Sequence, residues 1–317
     1  MASSANQSPG HDSTPADPPA ALLFPGQGAQ SVGMLGAWCD HAPALDLFGR
    51  ASDILGYDLA AVCREGPASR LDSTAVSQPA ILVTSLAALE VLRARRDAYP
   101  ARVTAVAGLS LGEYTALVFA GAIDFEDAVR LVDARGRAMQ ACADARPGTM
   151  VAVLGLEREQ VAALCAEVRG ADVLSVANVL CPGNIVVSGV AAACDRLAVA
   201  ATAAGAMKCV PLDVAGAFHT SLMEPARERL AAALAATPLH VPQIPVVSNV
   251  DARPHVDPTE IRELLAKQLV DVVEWQDSMR YLLSTGVRTI IEVGPGRVLR
   301  GLMKRIDRTV GVSGVCE

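Results

Sequence analysis

Aromatic side chains are scarce in this sequence: Phe, Trp and Tyr make up 3% of its 317 residues. Its hydrophobic content of 51% therefore comes mainly from Ala, Val and Leu, which suits buried parallel strands covered by small-residue helices. We expect no apolar run long enough to cross a bilayer. Residues 1–19 are mostly small or polar, and they predict a disordered leader without the apolar segment of a secretory signal.

Metal sites, disulfides and nucleic acid are also disfavoured. The eight cysteines show no C-x-x-C spacing, and none is separated from any of the five histidines by the sequence spacing of a metal-ligand motif. This favours free thiols in a reducing compartment and predicts no metal site. The net charge of −7 argues against nucleic-acid binding and would repel an anionic substrate, so such a substrate needs a local basic site. We expect a cytoplasmic protein that binds neither nucleic acid nor membrane.

What is present is a serine between two glycines at a strand-to-helix junction. Thr104 to Val106 is β-branched and apolar, Gly108-x-Ser110-x-Gly112 follows, and the next residues predict a buried helix. Glycines at these two positions let strand and helix approach closely, so that the serine hydroxyl is held in the open. The N–H groups at the start of the helix face the serine and could bind a developing oxyanion. The pattern predicts a nucleophile, although Gly and Ser are common enough for it to arise by chance.

Two further side chains carry potential chemistry. Arg135 lies at the edge of the apolar stripe of a predicted helix, Asp124 to Cys142, where position alone favours a structural salt bridge or a snorkelling side chain. His219 precedes a predicted capping box, Ser221 to Glu224, and a local loop hydrogen bond is the simpler interpretation of a lone histidine there. The glycine-rich turn 25–30 lacks a nucleotide-binding spacing and instead predicts a backbone close to a ligand or catalytic atom.

The order of elements predicts the fold. Between residues 148 and 212 the pattern reads β-α-β-β-α-β, the ferredoxin-like unit. It interrupts a larger α/β domain with a parallel sheet, formed by residues 20–141 and 215–317 and similar to the α/β hydrolases. The later elements are a strand at Ile244–Val250, two helices, a strand at Thr289–Val293 and a basic helix whose charges are typical of a solvated face.

Together these motifs resemble the malonyl-CoA:acyl-carrier-protein transacylases of type II fatty-acid synthesis. The resemblance covers about residues 20–310 in collinear order. The matching segments are residues 25–30, 78–80, 108–114, 135–136, 217–219, 248–251 and 292–296.

The resemblance implies a malonyl transfer from coenzyme A to acyl carrier protein, without a cofactor, since malonyl-CoA is a substrate. Ser110 would be the acylated nucleophile, His219 its base and acid, and Arg135 the partner of the malonyl carboxylate. The carbonyl at Gln268 would orient the histidine. The remaining implied roles are an oxyanion hole from the backbone N–H groups of Gln27 and Leu111, a pocket lined by Met139, Asn178 and Phe218, and a coenzyme A phosphate contact at Lys208.

One position departs from the family, because Leu109 stands where histidine is more usual. This leaves the proton transfer untouched and affects details of the pocket. Bulky Phe218 matches the malonyl-selecting version, which crowds the space of an α-methyl group. We expect a monomer, and plastid stroma is the alternative location.

Three alternatives stay open at this stage. An acyltransferase for polyketide assembly carries the same residues. A serine hydrolase or thioesterase would need an acid between Ser110 and His219, for which Asp172 or Asp213 could be proposed. A non-catalytic scaffold predicts no acylation of Ser110.

Overall fold

The computed structural model describes residues 18–36, 40–95 and 99–315. The predicted leader at 1–19 therefore falls almost entirely outside the described residues. The strands are β1 Ala20–Phe24, β2 Val103–Gly108, β3 Thr149–Leu154, β4 Leu174–Cys181, β5 Asn184–Gly189, β6 Lys208–Pro211, β7 Val246–Val247, β8 Pro254–His255, β9 Thr289–Glu292 and β10 Gly311–Gly314. The helices are α1 Ala42–Leu55, α2 Leu59–Glu65, α3 Ala68–Leu71, α4 Thr74–Ala94, α5 Gly112–Phe119, α6 Phe125–Ala145, α7 Arg158–Val168, α8 Ala191–Ala203, α9 Glu224–Ala236, α10 Pro258–Gln268, α11 Trp275–Ser284 and α12 Val298–Ile306.

The larger sheet has the strand order β10-β9-β1-β2-β7-β8 and is parallel except for β8 at one edge. Alternate residues of β1 enter different cores: Leu22 and Phe24 pack into one apolar cluster, whereas Ala21 and Leu23 pack into another. Both faces are thus buried, which explains why this strand is a continuous apolar run. Because the strands are parallel, the loops after β1, β2, β7 and β9 meet at one edge, where ligands bind in open α/β sheets.

The smaller sheet is antiparallel, with the order β4-β5-β3-β6. Its elements follow one another as β3-α7-β4-β5-α8-β6, and side chains of both helices share an apolar cluster with the sheet. This is the ferredoxin-like arrangement. The predicted fold class, a large α/β domain carrying an inserted ferredoxin-like unit, is therefore confirmed.

Helix α4 corrects two expectations. The run Ser77-Gln78-Pro79-Ala80 predicts the start of a helix, since proline suits a first turn, whereas α4 begins at Thr74 and contains Pro79 in its interior. The N–H of Thr74 donates to Gln140 Oε1 at 3.0 Å, so a contact with α6 satisfies a group that a local cap would otherwise satisfy. By length and composition α4 could cross a membrane, contrary to the expectation of no such run, but 83% of its apolar window is buried within the protein.

Other differences lie at element boundaries. Ser221 does not cap a helix: Thr220 Oγ1 accepts from the N–H of Leu222 at 3.2 Å, and a short 3₁₀ turn leads into α9. Glu224 does not complete the expected capping box; its carboxylate pairs with Arg227 on the same helix. The strand expected at Ile244–Val250 shrinks to Val246–Val247, and beyond it Asn249 lies outside the strand and contacts the N–H of Ser110.

Candidate active site

The serine turn at the end of β2 is set by close backbone contacts. A Cβ on Gly108 would lie 1.8 Å from the carbonyl carbon of Gly112, and one on Gly112 would lie 2.1 Å from the carbonyl oxygen of Phe24. Only glycine fits at either position. Ser110 between them has φ of 49°, a left-handed conformation that is uncommon outside glycine. Such strain is a feature of nucleophile turns, because it lifts the hydroxyl out of the sheet edge.

His219 lies directly beside this serine. Its Nε2 is 3.0 Å from Ser110 Oγ, and its Nδ1 is 2.8 Å from the backbone carbonyl oxygen of Gln268. Because a carbonyl only accepts, Nδ1 carries the proton and Nε2 of the neutral ring is free to accept from the serine hydroxyl. The predicted contact with the Gln268 carbonyl is present, and the local loop hydrogen bond that position alone favoured for His219 is not what the ring makes.

Burial lowers the pKa of His219 to about 4, and the nearby Arg135 cation adds to the effect. The imidazole is 5% exposed and is therefore neutral at physiological pH. A neutral imidazole that accepts a serine proton has the geometry and the charge of a general base.

Arg135 reaches the same hydroxyl from α6. Its Nη2 donates to Ser110 Oγ at 3.0 Å and to Gln268 Oε1 at 2.9 Å, and its Nη1 donates to Gln78 Oε1 at 2.7 Å. The guanidinium is 1% exposed and lies 5.3 Å from the centre of the Tyr114 ring. The salt bridge or snorkelling side chain that position alone favoured is wrong, because within the described residues Arg135 is buried among neutral acceptors and forms no ion pair.

A buried cation without a carboxylate partner is unusual, because the cost of removing a charge from water is normally offset by an opposite charge. The Nε of Arg135 has no hydrogen-bond partner within the described part of the chain. The guanidinium thus retains donor capacity and a full positive charge beside the nucleophile. This arrangement is suited to a substrate that brings its own carboxylate.

The glycine-rich loop after β1 packs against the serine turn. A Cβ on Gly26 would lie 2.3 Å from the carbonyl oxygen of Leu109, and the N–H of Leu109 donates to the carbonyl of Phe24 at 3.0 Å. Gln27 follows directly, half-buried, with its side chain 3.4 Å from Thr74 Oγ1. The loop therefore lies against the backbone of the serine turn. Its approach to a ligand or catalytic atom, and the assignment of the Gln27 and Leu111 N–H groups to an oxyanion hole, stay predictions.

The remaining predicted residues lie on helix α6, in the loop before His219 and on two strands of the smaller sheet. Phe218 and Met139 are buried, the latter accepting from Gln78 Nε2 at 3.2 Å, and Asn178 lies on β4 with 9% exposure. Lys208 is exposed on β6, an edge strand of the smaller sheet. Their proposed contacts with substrate stay predictions.

Sequence reasoning missed two buried residues that organise the turn, Glu113 and Asn249. Asn249 Oδ1 accepts from the N–H of Ser110 at 2.6 Å, and its Nδ2 donates to the carbonyl of Gly108 at 2.7 Å. Glu113 Oε2 accepts from the N–H of Asn249 at 3.1 Å and from Gln268 Nε2 at 2.8 Å. Both residues stand in segments that matched the family, but only burial in three dimensions shows what they contact.

The acids proposed for a hydrolase triad lie elsewhere. Asp172 pairs with Arg196 at 2.7 Å and is 40% exposed, and Asp213 is exposed. The position that an acid would occupy at His219 Nδ1 is taken by a carbonyl oxygen. No cluster of described His, Cys, Asp and Glu residues has the geometry of a metal site, and the six described cysteines are free thiols.

Comparisons with known proteins all identify acyltransferases as the proteins similar to this chain. A family model described as an acyl transferase domain matches residues 21–310. The chain is 43% identical to the malonyl CoA-acyl carrier protein transacylase of Escherichia coli strain K12, over 94% of this chain and 96% of that protein. The structure of the transacylase of the same name from Coxiella burnetii superposes with a TM-score of 0.90 at 37% identity, covering 94% of each chain.

A third solved structure shows a malonyl-transacylase in complex with an acyl-carrier protein of a type II polyketide synthase. It has a TM-score of 0.87 at 40% identity and covers 93% of this chain and 94% of that one.

Proposed function

The chain belongs to the acyl transferase family, and we propose that it moves a malonyl group from malonyl-CoA to the phosphopantetheine thiol of an acyl carrier protein. The observation that carries this proposal is Arg135, a buried cation with neutral partners that donates to the nucleophile itself. The relatives' names supply the donor and the carrier protein. The chemistry of the site supplies the reason for a donor with a free carboxylate.

In the first half-reaction Ser110 Oγ attacks the thioester carbonyl while His219 Nε2 takes its proton. The carbonyl oxygen becomes an oxyanion, for which we propose the backbone N–H groups of Gln27 and Leu111 as donors. The C–S bond then breaks, and the imidazolium protonates the departing coenzyme A thiolate. The product is a malonyl ester on Ser110, with Arg135 paired to the distal carboxylate.

The second half-reaction repeats these steps in reverse with another thiol. His219 takes the proton of the phosphopantetheine thiol, the sulfur attacks the ester carbonyl, and the C–O bond breaks. Ser110 leaves with the proton returned by the imidazolium, and malonyl has passed to the carrier protein. No step calls for a cofactor, because the two thioesters are of similar energy and each proton is held by His219.

Charge on the Ser110 oxygen changes during this cycle in a way that suits Arg135. In the free enzyme the oxygen accepts from Nη2. As an ester oxygen it is a weaker acceptor, so malonylation releases that N–H to the carboxylate. The guanidinium can thus support the nucleophile before acylation and the acyl group after it.

The site does not favour the serine hydrolase alternative. A backbone carbonyl, not an acid, orients His219. A hydrolase acting on an uncharged acyl ester would also gain nothing from Arg135. A carrier protein of polyketide assembly is the second candidate acceptor, because the structure of a malonyl-transacylase bound to such a carrier is similar to this chain. For donor choice we propose that Phe218, buried directly before His219, crowds the α-carbon and disfavours methylmalonyl-CoA.

Intact-mass measurement tests the proposal. The protein mixed separately with malonyl-, methylmalonyl- and acetyl-CoA should gain one malonyl group rapidly and the other two groups slowly. Peptide mapping should place malonyl on Ser110, and Ser110→Ala should stay unlabelled. Addition of holo acyl carrier protein should discharge the ester much faster than water does. A label on a cysteine, or discharge to water at the same rate as to thiol, would refute the proposal.

A further inference from the structure

Glu113 is a buried carboxyl group one helical turn after the proposed nucleophile, and the proposed mechanism does not use it. It is 3% exposed and forms no ion pair with a described residue. Acidic residues in the first turn of a helix usually face water, where they interact with the helix dipole. A carboxyl group held away from water at this position needs a reason.

The Gln268 side chain connects this carboxyl group to Arg135. Its Oε1 accepts from Arg135 Nη2 at 2.9 Å, while its Nε2 donates to Glu113 Oε2 at 2.8 Å and to the carbonyl of Ser110 at 3.0 Å. An amide has one accepting end and one donating end, so the groups on one side decide which end faces the other side. Two acceptors at Nε2 therefore turn Oε1 toward the guanidinium. The opposite orientation would place N–H groups against N–H groups.

The same carboxyl oxygen also holds the backbone of Asn249, whose side chain binds the N–H of Ser110 and the carbonyl of Gly108. Glu113 is thus linked to the nucleophile by one route and to Arg135 by another. The first route serves every acyl donor equally. The second route passes through Arg135, whose contact with Ser110 Oγ also serves every donor but whose pairing with a carboxylate serves only a donor that carries one. The malonyl-to-acetyl ratio therefore isolates the part of the second route that concerns the carboxylate.

We propose that Glu113 is a positioning residue for donor selection, which acts through the Gln268 amide to fix the direction of the Arg135 guanidinium. This inference rests on the proposed function. A carboxyl group in direct contact with Arg135 would occupy the donors that the substrate carboxylate needs. Placed one amide away, it fixes the direction of the guanidinium and leaves those donors to the substrate.

The test compares kcat/KM of Ser110 acylation by malonyl-CoA and by acetyl-CoA in Glu113→Gln and Glu113→Met. Glu113→Met removes the acceptor, and the malonyl-to-acetyl ratio should fall roughly 10–100-fold, the effect of losing a hydrogen bond to a charged group. Glu113→Gln keeps an oxygen acceptor of the same reach, so its ratio should stay within about threefold of the parent. Thr115→Val is the matched control, since Thr115 is buried on the same helix and its hydroxyl has no hydrogen-bond partner among the described residues.

Equal decreases with both donors in Glu113→Met would overturn the inference, because they would show a purely structural role. A Glu113→Gln ratio as low as that of Glu113→Met would overturn it as well, because charge and not the acceptor would then matter. Should Glu113→Met fail to fold, Glu113→Asp takes its place: it keeps a carboxyl group but is one methylene shorter, so it should not reach Gln268. Its ratio should fall similarly, and an unchanged ratio would count against the inference.

A double-mutant cycle tests the route through Gln268. In a Gln268→Met background, adding Glu113→Met should leave the malonyl-to-acetyl ratio unchanged, whereas a further loss would show that Glu113 acts independently. The proposed function fails separately, if the parent enzyme forms no malonyl ester on Ser110. If the parent is malonylated normally but the variants lower kcat/KM equally for both donors, only the role of Glu113 is refuted.

Discussion

Replacing Arg135 with alanine should lower acylation of Ser110 by malonyl-CoA far more than acylation by acetyl-CoA. A hydrogen bond between charged partners contributes ~1.5–3 kcal/mol, so a two-point pair with the malonyl carboxylate amounts to ~3–5 kcal/mol. At ~1.4 kcal/mol per decade, the loss should lower kcat/KM for malonyl-CoA by ~10²–10⁴. Acetyl-CoA has no distal carboxylate, so its kcat/KM should fall much less.

The structure adds two corrections to this estimate. Arg135 also donates to Ser110 Oγ, so its removal should lower kcat/KM for both donors by a common factor, which cancels in the malonyl-to-acetyl ratio. Its removal leaves the side-chain oxygens of Gln78 and Gln268 without a donor, which costs ~1–3 kcal/mol of stability each. The variants should therefore be assayed well below their melting temperature, with thermal unfolding recorded alongside.

The assay is single-turnover acylation of Ser110 with both donors, for the parent, Arg135→Ala and Arg135→Lys. Lysine keeps the charge but not the planar fork, so it should restore the ratio only in part. Arg137→Ala is the matched control on the same helix, because Arg137 is 60% exposed and pairs with Asp133. If Arg135→Ala lowers kcat/KM for both donors by the same factor, Arg135 is structural and the reasoning on donor selection is refuted.

Four further outcomes are expected. His219→Ala should lower the acylation rate by ~10²–10⁴, whereas Asp213→Asn should leave it near the parent value; stopped-flow acylation would detect a departure from either. Because the pKa of His219 is lowered to about 4, kcat/KM for malonyl-CoA should be flat from pH 8 to 5 and fall only below about pH 4. A decline centred near pH 6.5 would show that the imidazole is not buried as described. Burial raises the pKa of Glu113 to about 7 from 4.5. Between these two pH values the folded protein keeps a proton that the unfolded chain has released, so the free energy of unfolding decreases as pH rises to about 7. The Tm of Glu113→Gln relative to the parent should therefore increase between pH 5 and 8, and a constant difference would contradict it. Finally, Gly112→Ala should yield little folded protein, since its Cβ would lie 2.1 Å from the carbonyl oxygen of Phe24; a melting temperature near that of the parent would show that the turn tolerates a side chain.

The fold was predictable where the signal is local. The β-α-β-β-α-β order between residues 148 and 212 is as predicted, because the apolar periodicity changes from one element to the next. The serine turn was predictable because glycine is required at both flanking positions. The strand β10 and the helices α1 to α3 were not predicted. Helices α1 and α2 nevertheless carry sequence signals, since Gly56 ends α1 in a left-handed conformation and the Asp58 carboxylate caps α2 by accepting from the N–H of Ala61.

The site was predictable only in part, because several of its contacts join distant segments. Ser110 and His219 were identified by local motifs together with the family resemblance. Glu113 looked like an ordinary acidic residue of a first helical turn, and its burial depends on residues more than 130 positions away. Arg300 likewise belonged to an apparently solvated basic face, yet it is 8% exposed and pairs with Glu292 on β9. A helical pattern shows which residues share a face but not what covers that face.

The neutral partners of Arg135 also explain why His219 is oriented by a carbonyl. A carboxylate at Nδ1 would strengthen the base, as in a Ser-His-Asp triad. In this site it would lie close to a buried guanidinium and would compete with the substrate for it. The Gln268 backbone carbonyl fixes the same tautomer without a negative charge, while the Gln268 side chain contacts Arg135 with a neutral oxygen. A serine–histidine dyad is therefore the arrangement to expect where the acyl group itself carries the carboxylate.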